Sequence, residues 1–493
     1  MEGPALAMTE AARRSTAEFD SPFDAEPEAR GDTLYSQRDA HSEPAGDRTH
    51  AFECERPNGG REPSVAYLVS RYPAVSHTFI RREIAELRRR GLRIDTFSLR
   101  REPREALRYE EDKREQDATF YILPASPAGT ASALFSTLRR PLRWLRTLYT
   151  ALSLRPPGIR HLLWGCFYFA EAMILVRELE KRETAHLHSH FADSGSFVGL
   201  LACRYLGLGW SVTLHGASDF DNPGLRRLDR KIAIADFVAC VSDYGRAQAM
   251  RASAPPHWGN LCVARCGLDL SNLAAAPFRR QPLRLHVLCV ARLSPEKALP
   301  GLIEAFAAAV DSGLDAELCL VGEGPERERI EDHIAALGLG DRCRLTGALG
   351  EAEVMKEYAE ADVFALPSFM EGLPVVLMEA MATGLPVIAP RLTGIPELVI
   401  DEETGLLFTP GRWDQLATAL TRLGDSGLVS AGSASSDETR GERLRRTLGI
   451  AARQKIQGEY DIRTAVDPIY QRLSARLDEV VSAGPSKGSR RNG

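Results

Sequence analysis

Two glutamates, Glu371 and Glu379, stand eight positions apart on either side of a predicted helix start. Asp362 to Leu366 has the pattern of a short buried strand, and Pro374 takes the first helical position after a tight connection. The free amides of a helix start attract phosphate, and carboxylates accept hydrogen bonds from hydroxyls. The segment favours a sugar nucleotide as ligand, although the spacing alone fits an ordinary surface helix equally well.

Two cations upstream could neutralise the diphosphate that these carboxylates would repel. Leu285 to Val290 has the pattern of an apolar strand and Leu299 to Val310 that of a helix, with Arg292 and Lys297 between them. Ligands of open α/β sheets bind at such strand ends, and Arg and Lys are the usual partners of diphosphate oxygens. The alternative is a pair of solvated loop cations.

Several further segments occur in a characteristic order. They are Val290 to Leu293 with Lys297, Leu320 to Pro325, Thr346-Gly347, Glu371 to Glu379, Gly384 to Ala389, Gly394 to Glu397 and Thr404 to Leu407. Together they resemble the family 4 (GT4-type) retaining glycosyltransferases of GT-B fold, over residues 63–480. Ser70 to Ile80 is similar to the branch that builds bacterial exopolysaccharides, including colanic-acid-type transferases.

The resemblance implies an α/β fold of two doubly wound Rossmann-like domains that face each other across a cleft. It also implies an enzyme of the hexosyltransferase class, which moves a sugar from a nucleotide-sugar donor to a saccharide acceptor with retention of configuration and without a cofactor or metal. Arg292 and Lys297, with amides near Gly372 and Leu373, would stabilise the leaving diphosphate. Glu371 would hold the sugar hydroxyls and Glu379 the ribose hydroxyls. The remaining donor-binding residues would be Pro374, Gly322, Gly324 and Gly347.

The first domain is expected to bind the acceptor and close over the donor. His215 ends a strand and resembles the family's histidine that faces the donor sugar, so it joins Glu371, Arg292 and Lys297 in the catalytic set; a core histidine is the alternative. Relatives place an acid three residues later, whereas Asp219 lies four residues on, which leaves its role open. The predicted acceptor and cleft residues are Ser76, which could cap the helix Ile80 to Arg90, with His77, Thr78, His190 and Asp219.

Two patterns could suggest a metal ion. Asp219-Phe220-Asp221 matches the carboxylate pair that binds a divalent metal in the other main glycosyltransferase fold, and His186, His188 and His190 alternate along one strand. The acidic pair is far in sequence from the phosphate cations, and the histidines lack a carboxylate or cysteine in register. We therefore expect no metal site, and a packed or site-lining role for the histidines.

Strands and helices alternate along the chain, which favours parallel sheets. The predicted strands of the first half are Val65–Val69, Arg93–Leu99, Ala118–Leu123, Ala185–Phe191, Ser211–His215 and Asp236–Val241. Those of the second half are Leu285–Val290, Ala316–Val321, Arg342–Leu345, Asp362–Leu366 and Pro386–Ala389. We expect an N-terminal acceptor domain (63–275), a C-terminal nucleotide-sugar domain (283–460) with a flexible insert (424–441), a helix crossing back (461–481), and disordered tails (1–62 and 482–493).

Composition supports a cytoplasmic enzyme. Residues 1–62 carry fourteen acidic and seven basic side chains, which is typical of a disordered acidic tail and unlike a secretory signal. The net charge of −5 leaves +2 for the rest (−5 minus −7), and no nucleic-acid partner is expected. The nine cysteines show no paired metal-ligand spacing, which fits reduced thiols.

A basic, aromatic stretch suggests contact with a membrane surface. Between Ala118 and Ala170 there is no acidic residue, and arginines alternate with aromatic side chains. Residues 134–164 are therefore predicted to contact an anionic membrane on its cytoplasmic face, which suits the polyprenol-linked acceptor that the resemblance implies. His161 to Val176 is expected to be too short to span a bilayer. Packed helices with solvated arginines are the alternative.

Two other functions use the same elements. A nucleotide-dependent oxidoreductase would suit Gly322-Glu323-Gly324, but the full Gly-x-Gly-x-x-Gly turn is missing. A catalytically silent GT-B-like binding or scaffold protein would share the fold, yet has no need for the intact charged set.

Overall fold

Two parallel sheets organise the chain. The structure, a computed structural model, describes residues 63–74, 77–107, 110–154, 158–273, 275–276, 278–279, 284–428 and 438–482. The predicted tail 1–62, most of the predicted tail 482–493, residues 429–437 of the predicted insert, and Ser76 lie outside the described residues. Most strands of both sheets are buried on both faces, because helices cover each side.

The first sheet has seven parallel strands in the order β3-β2-β1-β4-β5-β6-β7. The strands are β1 Ser64–Arg71, β2 Ile94–Arg100, β3 Phe120–Tyr121, β4 Thr184–His190, β5 Gly209–Leu214, β6 Phe237–Cys240 and β7 Leu261–Val263. Its helices are α1 Thr78–Arg89, α2 Glu110–Ala118, α3 Pro127–Thr137, α4 Pro141–Ser153, α5 Ile159–Lys181, α6 Ser194–Leu206, α7 Ala217–Phe220, α8 Leu228–Ile234 and α9 Asp243–Arg251.

The second sheet has six parallel strands in the order β10-β9-β8-β11-β12-β13. The strands are β8 Leu285–Val290, β9 Ala316–Val321, β10 Cys343–Gly347, β11 Val363–Ala365, β12 Val387–Pro390 and β13 Leu406–Phe408. The helices that follow are α10 Leu299–Asp311, α11 Arg327–Ala336, α12 Glu351–Glu360, α13 Val375–Thr383, α14 Ile395–Leu398, α15 Trp413–Leu423, α16 Arg440–Glu459, α17 Ile462–Ala465 and α18 Asp467–Ser482. In both sheets the strand order reverses beside the first strand, which is where doubly wound folds bind ligands.

The sequence pattern located most of the strands and missed two short ones. β7 and β13 have three residues each, too few for a recognisable apolar pattern. The predicted strand Ala118–Leu123 shrinks to two residues, because α2 continues to Ala118. Pro374 precedes α13 as its N-cap residue and is one position earlier than predicted.

The chain returns to the first domain at its C-terminal end. Val466, Ile469, Leu473 and Leu477 are buried in one cluster with residues of β1 and α1. The predicted single helix is divided into α17 and α18, because Pro468 lacks the amide that a continuous helix requires and instead opens α18.

Replacing Leu473 by alanine tests this packing. Leu473 is fully buried, so Leu473→Ala should destabilise the first domain by about 2–5 kcal/mol through lost burial and a cavity. Differential scanning calorimetry should show a lower melting temperature. Leu337→Ala is the control, since Leu337 is exposed. Equal midpoints for both variants would contradict the packing role of α18.

Candidate active site

The two domains touch through two glycines at the carboxyl ends of their sheets. A Cβ on Gly216, which follows β5, would lie 2.4 Å from the Cα of Gly372 in the loop before α13. A Cβ on Gly372 would lie 2.1 Å from the carbonyl oxygen of His215. Only glycine at both positions allows the His215 segment to approach the start of α13 this closely.

Lys297 and Glu371 form the central ion pair. The Lys297 Nζ lies 2.6 Å from Glu371 Oε1, and the Ser368 hydroxyl donates to the same oxygen at 2.6 Å. Glu371 is only 8% exposed, so its charge is balanced inside the protein. The structure thus brings together two residues predicted for different parts of one ligand.

Arg292 lies in the same turn but remains exposed. No ion pair joins it to a carboxylate within the described parts of the chain. It is therefore a cation that an incoming anion can reach without displacing a partner.

Gly322 and Gly324 have a packing reason for being glycine. A Cβ on Gly322 would meet the Ala291 carbonyl oxygen at 1.9 Å, and one on Gly324 would meet that of Leu293 at 2.2 Å. The Gly322 amide also donates to the carbonyl of Gly347. These glycines let the loop after β9 cross the loop that carries Arg292, and their predicted contact with the donor stays a prediction.

Glu379 pairs with an arginine from the other domain. Arg82, on α1, places Nη2 3.0 Å from Glu379 Oε1, and both side chains are mostly buried. Burial raises the pKa of the Glu379 carboxyl, while Arg82 opposes the rise. The Arg82 Nη1 is buried without a hydrogen-bond partner among the described residues. Sequence reasoning missed Arg82, whose only signal was a basic residue on the helix after β1.

His215 is the half-buried end of a chain of buried polar groups. Its Nε2 lies 2.8 Å from His190 Nδ1, and His190 Nε2 lies 3.5 Å from Glu83 Oε1, which also accepts from the Tyr67 hydroxyl. Burial holds the pKa of His215 well below its ordinary value, so the ring is neutral. A neutral imidazole presents a hydrogen-bond donor and an acceptor rather than a positive charge.

Asp219 is not available to a ligand, which corrects its predicted place in the cleft. Its side chain is fully buried, and its two oxygens accept from the amides of Ala192 and His215, each at 2.7 Å. Asp219 therefore fixes the loops after β4 and β5. His77 and Thr78 lie at the start of α1, where burial lowers the pKa of His77 to about 4.

The alternating histidines are packed. His188 uses both ring nitrogens, towards Ser211 and Thr213, and His186 contacts the same serine. Glu83, His188 and His190 have ligand atoms within 4.8 Å of one another, but these hydrogen bonds already engage His188. The absence of a metal site remains an expectation.

A second contact joins the domains beside the site. The Glu397 carboxylate accepts from the amides of Asp243 and Tyr244 at 2.8 Å each, which caps α9 from the other domain. Arg265 lies 3.5 Å from the same carboxylate. Glu397 belonged to a recognised segment, but its role as a cap was not predicted.

The helices α4 and α5 expose apolar rows. Leu142, Leu145 and Tyr149 share one face of α4. Ile159, Leu163 and Phe167 share one face of α5. Among the described residues, α5 is the one helix whose length of 23 residues and composition would allow a membrane span. It is longer than the predicted apolar run His161 to Val176. Its other side packs into the core of the first domain.

Comparison with known proteins identifies a domain in the second half of the chain. Residues 279–471 match the family described as glycosyl transferases group 1. The chain carries a group 1 glycosyltransferase domain. The glycosyltransferase is 26% identical over 363 residues to the "putative colanic acid biosynthesis glycosyltransferase WcaL" of Escherichia coli (strain K12), covering 70% of this chain and 86% of that protein.

Other relatives agree. The amylovoran biosynthesis glycosyltransferase AmsK of Erwinia amylovora is 34% identical over 226 residues, which cover 44% of this chain and half of that protein. Among solved structures, Anabaena Alr3699/HepE in complex with UDP superposes with a TM-score of 0.62 at 18% identity, over 84% of this chain and all of that one. The predicted glycosyltransferase identity and two-domain GT-B fold are confirmed.

Removing Arg82 should make stability depend on pH. In Arg82→Ala the buried Glu379 carboxylate loses its partner, so its pKa rises further above the value in the unfolded chain. Such a carboxyl lowers stability as pH rises from the unfolded pKa towards the folded pKa. The melting temperature should therefore fall more at about pH 8 than at about pH 5.

Two variants serve as controls. Arg82→Ala combined with Glu379→Gln should lose the extra pH dependence, because no carboxyl is left to titrate. Arg251→Ala, at an exposed position on α9, should show none. An Arg82→Ala loss that is equal at both pH values would contradict the buried pair.

Proposed function

We propose that the glycosyltransferase moves a sugar from a nucleotide-sugar donor to a saccharide acceptor with retention of configuration. The observation that carries the proposal is the buried Lys297–Glu371 pair at the start of α13, beside the neutral His215 of the other domain. The relatives named for colanic acid and amylovoran biosynthesis support an acceptor in exopolysaccharide or other cell-surface glycan assembly.

The leaving diphosphate would sit between Arg292, Lys297 and the amides at Gly372 and Leu373. Negative charge grows on the diphosphate oxygen as its bond to the anomeric carbon breaks, and cations and amides aimed there stabilise that charge. Lys297 already contacts Glu371, so the lysine can hold both the carboxylate and a phosphate oxygen. These groups supply the positive charge without a metal ion.

The carboxylates would position the donor rather than attack it. Glu371 would accept hydrogen bonds from sugar hydroxyls, and Glu379 from the ribose, where Arg82 already occupies one oxygen. His215 would contact a sugar hydroxyl from the opposite side. With no protein nucleophile assigned, the acceptor oxygen would bond to the anomeric carbon on the face that the diphosphate leaves, and the acceptor proton would pass to the departing oxygen.

The acceptor would be polyprenol-linked and the enzyme peripheral on an anionic cytoplasmic membrane face. Phe135 is 80% exposed, Leu142 71% and Tyr149 73%, with Arg143 and Arg146 on the same helix as the last two. Exposed apolar rows flanked by arginines favour an interface with anionic lipid.

Turnover by site variants tests the enzymatic proposal. Nucleotide release from a panel of sugar nucleotides should fall about 100-fold or more in Glu371→Ala and Lys297→Ala, because each leaves a buried partner uncompensated and removes donor contacts. Glu328→Ala and Lys356→Ala are matched controls at exposed positions. Equal activity in all variants, or release from no donor, would favour a silent binding protein. Hydride transfer to a nicotinamide cofactor would favour the oxidoreductase.

Vesicle flotation tests the membrane proposal. The full chain should float with vesicles that contain phosphatidylglycerol and should detach as salt screens the arginines. Leu142→Asp with Tyr149→Asp should abolish flotation, because two charges would enter the apolar interface. Leu337→Asp, at an exposed apolar position on the other domain, should float normally. Normal flotation of the double variant would contradict this surface.

A further inference from the structure

A cavity of about 530 Å³ lies in the first domain, apart from the Lys297–Glu371 site. It is bounded by the first turns of α5 and α6 and by the loop that leads into α8. Ala192 and Asp193, which follow β4, form part of its wall. The volume is typical of small-molecule sites, and the carboxyl end of a parallel strand is where such folds bind ligands.

The cavity wall is cationic. Arg160, Arg226, Arg227 and Lys231 line it, against Asp193 as the one acidic side chain in the described wall. Asp193 is engaged as the cap of α6, where its carboxylate accepts from the Gly195 amide. This balance favours an anion.

The cations differ in how far groups of the protein already engage them. Lys231 is buried, and its Nζ donates to the carbonyls of Ala192 and Asp193 and to the Ser196 hydroxyl. Arg160 and Arg226 form no ion pair with any carboxylate in the described part of the chain. Lys231 therefore shapes the wall, while Arg160 and Arg226 are available to a ligand.

Part of the wall is aromatic and continues onto an exposed surface. Trp164 and Tyr168 stack with ring centroids 5.9 Å apart, and Tyr168 meets Phe197 edge-on at 5.5 Å. Trp164 is itself 40% exposed, next to Leu163 and Phe167 on the apolar row of α5. A ligand anchored by the arginines could therefore run an apolar chain along α5.

Hydrogen bonds join the cavity wall to the loop that carries His215. Ala192 lines the cavity and donates its amide to Asp219, whose other oxygen accepts from the amide of His215. One buried carboxylate thus sets the position of the cavity wall relative to His215.

We propose that this cavity binds the diphosphate end of an isoprenoid-linked saccharide acceptor. Arg160 and Arg226 hold the phosphates, the aromatic wall contacts the first sugar or isoprene unit, and the apolar chain leaves along α5. The assignment rests on the proposed glycosyl transfer and names the ligand class and binding residues for its acceptor.

Calorimetric titration of the full chain with geranyl diphosphate tests the cavity. The titration uses a chain carrying Arg292→Ala and Lys297→Ala, so that diphosphate binding at the donor site is suppressed. In that background Arg226→Ala should weaken binding about ten-fold, the loss of one charge-assisted contact, and Arg226→Lys should recover part of it. Arg160→Ala, at an exposed position, should weaken binding without endangering the fold.

The controls separate the possible ligands. Arg251→Ala, an exposed arginine on α9, should leave binding unchanged. Inorganic diphosphate and geraniol should each bind more weakly than geranyl diphosphate; equal binding of inorganic diphosphate would overturn the lipid-linked ligand in favour of a free phosphate compound. Unchanged binding in both Arg226→Ala and Arg160→Ala would overturn the cavity assignment.

The titration involves no turnover, so it is independent of the test for glycosyl transfer. Loss of geranyl diphosphate binding in the cavity variants, together with nucleotide release from no donor, would sink the transfer proposal while leaving a lipid diphosphate site. Nucleotide release together with unchanged geranyl diphosphate binding in the cavity variants would overturn the cavity assignment and leave the transfer proposal standing.

Discussion

The ion pair between Lys297 and Glu371 is the interaction on which the arrangement of the site depends. A carboxylate that is 8% exposed must have a compensating charge, and the lysine supplies it at 2.6 Å. The two residues come from different strand-to-helix connections, so the loops after β8 and β11 must keep a fixed separation. The fully buried Ser368 strengthens this requirement, because its hydroxyl donates to the same oxygen. The site is therefore preorganised by its own electrostatics.

The same physics links the domains through Arg82 and Glu379. These residues lie 297 positions apart in sequence and meet only when α1 rests against α13. Opening the cleft would separate a mostly buried pair and expose both charges to water. A ligand that bound Glu379 would then change the balance between open and closed arrangements, since it would compete with Arg82 for one carboxylate. Glu397, which caps α9 from the other domain, adds a second contact that opening would break.

Residue type and spacing pointed to Glu371, Lys297 and His215, because each lies in the connection that follows a strand predicted from the sequence. Arg82 could not be found this way, since its partner is set by domain packing and local sequence carries no record of it. Gly322 and Gly324 show the opposite limit. Their predicted contact with the donor stays a prediction, while the structure shows a packing role, since the two crossing loops leave no room for a Cβ. The strands β7 and β13 were missed because pairing with neighbouring strands, rather than a local sequence pattern, defines them.

The four-residue spacing between His215 and Asp219 has a structural role. Its carboxylate bridges the amides of His215 and Ala192 and so joins the ends of β5 and β4. A carboxylate placed to contact a ligand would need an open face, whereas this one has both oxygens engaged inside the protein. The four-residue spacing therefore lets Asp219 fix the position of the neutral His215 imidazole. His190, at the end of β4, contacts that imidazole. His215 is therefore held through its backbone amide by Asp219 and through its side chain by His190. The His215 side of the cleft is thus held by hydrogen bonds within the first domain, whereas the contact between the domains at Arg82 and Glu379 is an ion pair.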